Sequence, residues 1–577
     1  MSGFCCVWNG KGDRAWAAGA MAALRSRGEG PARLESAGPL SVAVCGVGGV
    51  VKHPAVDLWL MGEVRLDGRA ELARALGAPP AASGAELLLD AYLRWGVECA
   101  GRVAGDISAA IYDGRDATLF CLRDHFGVLP FFHAATAEGP VFGDTLAAVK
   151  AVAKPDVDEL FIADLLMFDG TWDAARTAFE GVRRLPAAHR LIARNGATRV
   201  ERYWSFPVDE PVRFRRLADY PERFNELLSA AVRDRLTGDR VSVLLSGGLD
   251  SGTLAMEASA QLGGLHVKGH SYVYDWLIPD DERAFVDSTA RAAGIEVRRQ
   301  SADRFPLYEG WERPDHVLPE PVHQPFGRLE WLASLREMAA YGGEALYGEG
   351  PDEMLRFEWR AYLRSAIERG AWGLLGQDLV GYLSRHKRVP GWRLPGRDRP
   401  VARQAMPPWL EPDFVGRHDL GARWDDLRAA APSLHPYRPA AHAILGDTRW
   451  PALFESMDPG FTGVPLRVRH PFFDLRMARF LMSLPVLTWC RRKQILREAG
   501  RRLPAAVRTR RKTPLAADPV QERVRREGPP PAARTRALAR FVHPTWTPPT
   551  GAEPLETWRD LRPVSLSYWL SRLEQNG

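Results

Sequence analysis

The sequence predicts an α/β protein in two parts: a mixed sheet-and-helix unit over residues 1–210, then a doubly wound parallel sheet with added helices over residues 211–577. Three observations carry this. Short apolar segments separated by Gly, Asp and Pro turns recur through the first 150 residues, as in a strand-rich unit. Beyond Pro211, apolar strands alternate with helix-period segments, the pattern of a parallel sheet with helices on its faces. One of those strands runs straight into a glycine turn and a helix, in "VSVLLSGGLDSGTLAMEA" at residues 241–258.

In the first part, "LSVAVCGVGGVV", "VDLWLMGEV", "GDISAAIYD", "ATLFCLRD" and "GPVFGD" read as strands. Between them "AELLLDAYLRWG" has helix-period apolar residues and stops at a glycine. Asn195-Gly196 predicts a hairpin joining "HRLIAR" to "TRVERYW". In the second part the order is a helix ("YPERFNELLSAAVRDRL"), the 241–258 unit, a strand ("VKGHSYVY"), a helix ("DERAFVDSTARAAG") and a strand ("EALYG"). The chain to about residue 515 is mostly helical. The Pro- and Arg-rich stretch "REGPPPAARTRALARF" reads as irregular, and "LSYWLSRLEQ" as a closing helix.

Composition narrows the function classes. The 577 residues allow at least two full hydrophobic cores. With 77 basic and 71 acidic residues, the net charge of +6 is too slight to indicate a nucleic-acid partner. The basic residues are mostly arginines, so a lysine inside a motif is informative. Cys5, Cys6, Cys45, Cys99, Cys121 and Cys490 lack metal-like spacing and predict reduced, buried thiols. No signal-peptide pattern is present, and no apolar run approaches the roughly 18–20 residues that span a bilayer. A cytoplasmic protein without a membrane span is expected.

The glycine turn is the most specific signal. In an open parallel sheet, ligands bind beyond the carboxyl ends of the strands. Gly247 and Gly248 let the backbone turn sharply against an anion, and the helix beginning near Ser251 aims its positive end at the same point. Ser246 and Ser251 offer hydroxyls to phosphate oxygens, whereas Asp250 fits beside phosphate only if it holds Mg²⁺. A packing turn of small residues would not need this carboxylate. The segment Ser246-Gly247-Gly248-Leu249-Asp250-Ser251 resembles the PP-loop of the ATP pyrophosphatases, which cleave ATP between its α- and β-phosphates. No Gly-Lys-Ser/Thr follows, so it is not a Walker-type loop.

Further blocks extend the resemblance over nearly the whole chain. "LRDHFGVLPFFHAATAEGPVFGDTLAAVKA", "FEGVRRLPAAHRL", "EALYGEGPDEML", "LRVRHPFFDLRMARFLMSLP" and "WCRRKQILREAGRRLPAAVRTRRKTPL" are similar to blocks of the glutamine-dependent asparagine synthetase superfamily. The resemblance implies an N-terminal-nucleophile (Ntn) αββα sandwich, then an adenylating PP-loop α/β domain using ATP and Mg²⁺. Carried over residue by residue, it implies ATP contacts at Leu244, Tyr347 and Gly348, and an adenine neighbour at Tyr274. It also implies a metal-holding carboxylate at Asp352 beside Asp250, a proton-transferring Glu349, and a Lys493 that offsets negative charge. Arg469 is expected to support the site, and Arg467 stands where the family commonly has glutamate.

The front of the chain departs from the family. Ser2 stands where the family exposes a nucleophilic cysteine. Met61-Gly62-Glu63 replaces an Asn-Gly-Glu segment that supplies an oxyanion donor, and the glutamine-gripping arginine falls near Cys45-Gly46. An inactive glutaminase is expected. The nucleophile then becomes an amine on the substrate itself, as in the β-lactam synthetase and lasso-peptide cyclase branches. Glu349 stands where the β-lactam branch has tyrosine, which favours the macrolactam-forming branch. A peptide or small-molecule carboxylate is the expected substrate, with a precursor peptide and its protease as partners. Asparagine synthesis from aspartate, and a non-catalytic precursor-binding scaffold, stay open.

Overall fold

The computed structural model describes all residues except 1, 9–14, 26, 28–29, 47–48, 138, 280–281, 314–317, 324, 387–404, 430–434, 512–514, 533–534 and 577. Parts of the quoted "RRKTPL", "DERAF" and "PPPAARTR" segments, and the side chain of Ser2, lie outside the described residues.

Seventeen strands are described. In chain order they are β1 Ser2–Trp8, β2 Arg33–Ala37, β3 Leu40–Gly46, β4 Val50–Lys52, β5 Leu58–Leu66 and β6 Gly105–Asp113. Then come β7 Thr118–Arg123, β8 Phe132–Ala134, β9 Val141–Gly143, β10 Val182–Arg184, β11 His189–Arg194 and β12 Ala197–Arg202. The last five are β13 Val241–Leu244, β14 Val267–Val273, β15 Glu296–Ser301, β16 Glu344–Leu346 and β17 Arg467–Arg469.

The first twelve form two antiparallel sheets, ordered β10-β8-β9-β1-β3-β2 and β12-β11-β7-β6-β5-β4. Side chains alternate across each strand, and both faces of both sheets are used. Phe4, Cys6, Val42 and Val44 meet Met61, Ala110, Tyr112 and Cys121 between the sheets. Cys5, Val7, Ala43 and Cys45 point the other way, into a core shared with the helices Ala17–Leu24 and Leu146–Ala153. Leu58, Leu60 and Ile107 pack on the helix Gly84–Trp95, which opens with a Ser83–Glu86 capping box. The result is a four-layer αββα sandwich. Its β11–β12 hairpin turns through Asn195 and Gly196, with φ of 51° and 77°, both in the left-handed region that a type I′ turn demands.

The other five strands are all parallel, in the order β15-β14-β13-β16-β17. In chain order that is third, second, first, fourth, fifth, the doubly wound arrangement. The direction of winding reverses between β13 and β16, so the crevice for a ligand lies beyond their carboxyl ends. The amphipathic helix Asp219–Arg233 and the helices Leu249–Leu262 and Glu282–Ala293 cover the sheet.

Three local expectations change. "LSVAVCGVGGVV" is two strands, β3 and β4, in different sheets. β15 was not foreseen, since "EVRRQS" is a polar edge strand without apolar alternation. In the stretch expected to be irregular, residues through Glu527 belong to the helix Pro519–Glu527, capped by Asp518. All six cysteines are free and buried. No helix among the described residues is long and apolar enough to cross a membrane.

Candidate active site

A cavity of about 980 Å³ opens beyond the carboxyl ends of β13 and β16, at the winding reversal. Leu244, Ser246, Gly247, Gly248, Leu249, Asp250 and Ser251 line it from the turn after β13. Tyr347, Gly348, Glu349 and Asp352 line it from the turn after β16, Tyr274 from the end of β14, and Lys493 from a helical turn far along the chain. Every residue the sequence singled out for nucleotide, metal or catalytic duty therefore faces one space.

The turn after β13 is shaped by close contacts. Gly247 has φ +68°, and a Cβ there would sit 2.9 Å from the Glu282 carbonyl oxygen, so glycine is required both by conformation and by space. Gly248 caps the helix Leu249–Leu262, leaving the first N–H groups of that helix directed at the cavity. The Ser246 N–H donates to the Ser251 Oγ at 3.2 Å, and the two hydroxyls are themselves 3.2 Å apart. Gly348 crosses this helix start closely: a Cβ on it would meet the Ser251 nitrogen at 3.0 Å. The two turns thus touch through bare backbone. Any side chain at Gly348 would pry them apart.

Lys493 joins the two carboxylates. Its ammonium hydrogen-bonds to Asp250 Oδ2 and lies 2.7 Å from Asp352 Oδ1. Both carboxylates are thus aimed at one point. A pair of anionic oxygen donors beside helix N–H groups is a chemically suitable set for a hard divalent cation, with Lys493 yielding that place. Lys493 and the preceding Arg492 have φ of 54° and 52°, an unusual run of two non-glycine residues in the left-handed region. The run follows a π-helical turn at Val486–Cys490. Such a conformation costs about 1–2 kcal/mol per residue, and strain of this kind concentrates at functional sites.

Tyr347 is hydrogen-bonded to Glu349, and burial together with the Glu349 charge pushes its phenol well above the ordinary range. The phenol stays protonated and can donate to that carboxylate. Its backbone N–H donates to the Arg469 carbonyl at 2.9 Å, which ties the turn to β17. Arg469 itself is buried in ion pairs with Asp106 and Glu344, supporting the site from behind. Arg467 turns away from the large cavity and pairs with Glu63 of β5 at 2.8 Å.

Sequence reasoning missed part of the rim. Arg356, Arg492, Arg497, Arg510 and Arg511 surround the anionic core, and Tyr272 and Trp331 wall the Tyr274 side. Arg497 is held in place by donating to the Arg492 and Arg510 carbonyls at 2.6 and 2.7 Å. The signal was the arginine density of residues 491–511, which by itself reads as a solvated basic helix. Tyr272 was findable, because it stands two residues before Tyr274, at the end of the strand that leads into it.

In the sandwich, the positions that depart from the family pattern pack or pair within the protein. At Met61, where an oxyanion donor was expected to be lost, the side chain is fully buried in the inter-sheet core with Phe4 and Cys6. Glu63 is engaged by Arg467, and Cys45 Sγ donates to the Leu24 carbonyl at 3.0 Å.

Two family profiles agree with this layout. The glutamine amidotransferase domain profile matches residues 66–204, and the asparagine synthase profile matches residues 223–539. Glutamine-hydrolysing asparagine synthetase 3 of Bacillus subtilis is 26% identical over 232 residues, 37% of this chain and 37% of that protein. A protein of Mycobacterium bovis named as a candidate glutamine-hydrolysing asparagine synthetase is 30% identical over 318 residues, 50% of this chain and 45% of that protein. The chain thus spans less than half the length of these relatives. A solved structure of glutamine phosphoribosylpyrophosphate amidotransferase from B. subtilis aligns with a TM-score of 0.27 and 12% identity, covering 54% of this chain and 68% of that one. With the asparagine synthase profile matched over more than half of its residues, the chain belongs to the asparagine synthase family.

Proposed function

We propose that the protein is an ATP-dependent, AMP-forming amide ligase that adenylates a substrate carboxylate and closes an intramolecular amide, in the manner of a macrolactam-forming cyclase. The observation that carries the adenylation step is the convergence of Asp250, Asp352 and Lys493 beside the helix N-terminus after β13. On this reading, residues 1–210 act as a scaffold domain and residues 211–577 as the synthetase domain.

The roles follow from the geometry. Ser246, Ser251 and the helix N–H groups after Gly248 cradle the pyrophosphate part of ATP. Leu244, Gly348 and Tyr274 border the nucleoside. Asp250 and Asp352 would hold Mg²⁺, which when bound would neutralise phosphate charge. A substrate carboxylate oxygen attacks the α-phosphorus, the bond to the bridging oxygen breaks, and pyrophosphate leaves. Lys493, freed from the carboxylates, stabilises the charge on the acyl-adenylate. An amine then attacks the acyl carbon, AMP leaves, and Glu349 takes the amine proton, oriented by the Tyr347 hydroxyl.

The internal amine is favoured because the front half offers no evident source of ammonia: Met61 is core, Glu63 is ion-paired, and Ser2 stands in the nucleophile's place. A cleaved precursor peptide, delivered by its protease, is the substrate this implies. The family profile also favours a second reading, asparagine formed from aspartate with ammonia or glutamine. Pyrophosphate release with ATP and Mg²⁺ decides between them. Stimulation by a peptide bearing both a free amine and an acidic side chain, with loss of water from the peptide mass, supports ring closure. Stimulation by aspartate plus ammonia supports the second reading, and ADP formation in either case refutes adenylation.

A further inference from the structure

A smaller cavity of about 260 Å³ adjoins the first and shares Tyr272, Tyr274 and Trp331 with it. Phe305, Trp311 and Phe326 complete its aromatic wall. It is built from the ends of β14 and β15 and the start of the helix Arg328–Gly342. It therefore lies on the opposite side of the glycine turn from Glu349 and Asp352, which follow β16.

Two buried guanidinium groups line this cavity, and their situations differ. Arg523 is fully engaged: it pairs with Glu527 at 2.6 Å and donates to the Ala302 and Asp303 carbonyls at 3.2 and 3.0 Å. Arg328 is only 7% exposed, yet no hydrogen bond or ion pair from its guanidinium is found among the described residues, and its Nε is buried without a partner. The Trp331 ring lies 6.0 Å from it. Burial lowers the Arg328 pKa to about 10, so the group keeps its charge at neutral pH. Arg328 is also the first residue of its 15-residue helix, where the helix dipole disfavours a cation and favours an anion. Uncompensated buried charge is costly, and both features would be relieved by one negatively charged ligand. The planar fork of a guanidinium matches a carboxylate through two parallel hydrogen bonds.

We propose that this cavity is a binding subsite for a carboxylate carried on an aromatic or large apolar group, as at the C-terminal residue of a peptide. Arg328 holds the carboxylate, and Trp311, Phe326 and Trp331 hold the apolar body. Its position beyond β14 and β15 makes the bound group an anchor rather than the carboxylate to be activated. The assignment stands on the walls of this cavity and does not require the adenylation reading.

The test is calorimetric titration of the full-length protein with N-acetylphenylalanine and with its neutral amide. The acid should bind saturably in the millimolar range, and the amide at least about tenfold more weakly. Arg328→Gln should weaken the acid about tenfold or more while leaving the amide unchanged, and the acid should still bind when ATP and Mg²⁺ are saturating. Phe326, at 44% exposure, can be changed without disturbing the core, so Phe326→Ala should weaken both probes in a folded protein. Absence of saturable binding, equal binding of acid and amide, wild-type affinity in Arg328→Gln or Phe326→Ala, or displacement by the nucleotide each overturns the proposal. If Arg328→Gln does not fold, the acid–amide contrast, the Phe326→Ala result and the nucleotide competition decide it.

Discussion

The two halves of this chain differ in how they place their polar groups. At the carboxyl ends of β13 and β16, charged side chains converge on an open space of about 980 Å³, and Lys493 is held there by a strained turn. Around β1, Met61 fills the inter-sheet core, Cys45 bonds a helix carbonyl, and Arg27 pairs with Asp144. Left-handed backbone at Arg492 and Lys493 together with convergent charge supports the adenylation site proposed for the first. Apolar filling around Met61 supports the proposed loss of glutaminase activity in the second. Variants in the two halves should therefore separate activity from stability.

The largest effect is expected in the open half. Lys493→Met and Asp250→Asn should each lower pyrophosphate exchange by about 10²–10³, the range found when a charge-stabilising group is removed. Neither should reduce the melting temperature, because each variant loosens a cluster rather than a core. Lys493→Met should in addition let Mn²⁺ bind without nucleotide, detected by electron paramagnetic resonance, since Asp250 and Asp352 then lose the ammonium they share. Unchanged exchange in either variant would remove the basis of the contrast.

Arg27 provides the mirror image. It is 1% exposed, forms two hydrogen bonds to Asp458 at 2.7 and 3.1 Å, and pairs with Asp144, so it ties the sandwich to the helical part. Arg27→Met leaves two buried carboxylates without a cation and should cost roughly 3–5 kcal/mol in denaturant unfolding. Exchange per folded molecule should be retained.

A smaller effect is shared by both halves. Burial lowers His125, in the sandwich, to about 4, and His470, behind the large cavity, to about 3. Unfolded histidine takes up a proton near 6.5. Between these values the unfolded chain binds more protons, so stability is full above pH 6.5 and falls as the pH drops toward 4 and 3. From pH 6.5 to pH 5 each histidine should cost about 1.6 kcal/mol. Melting curves at the two pH values check this, and His125→Gln should flatten the dependence.

How much of this could be read from the residues alone depended on how local each cause was. The β13 turn was legible because Gly247, Asp250 and Ser251 act within six residues, and their pattern has few other uses. The arrangement of Asp352 and Lys493 around Asp250 followed from family blocks rather than from spacing, because 243 residues separate Asp250 from Lys493. β15 escaped because an edge strand needs no apolar alternation, and β4 because its sheet partner is set by tertiary pairing with β5. Arg328 carried no signal at all. One arginine among many becomes conspicuous only when its described surroundings are seen to hold no counterion.

The smallest expected effect is the sharpest test of the closed half. Ser2→Cys restores the sulfur nucleophile that the family resemblance calls for, and only that. If the sandwich lost glutamine hydrolysis by this one exchange, the variant should release glutamate from glutamine. The structure predicts that it does not. Met61 cannot donate a hydrogen bond to an oxyanion, and its side chain is locked among Phe4, Cys6 and Ala110, where an amide group would have no partner. Cys45, near which the substrate-gripping arginine would fall, is buried and bonded to the Leu24 carbonyl. Ser2→Cys should therefore match the unmodified protein in a coupled glutamate assay, and the double variant Ser2→Cys, Met61→Asn should lose stability by about 1–3 kcal/mol without gaining activity. Glutamate release by the single variant would show that the pocket had stayed intact behind an altered nucleophile, and would overturn the contrast.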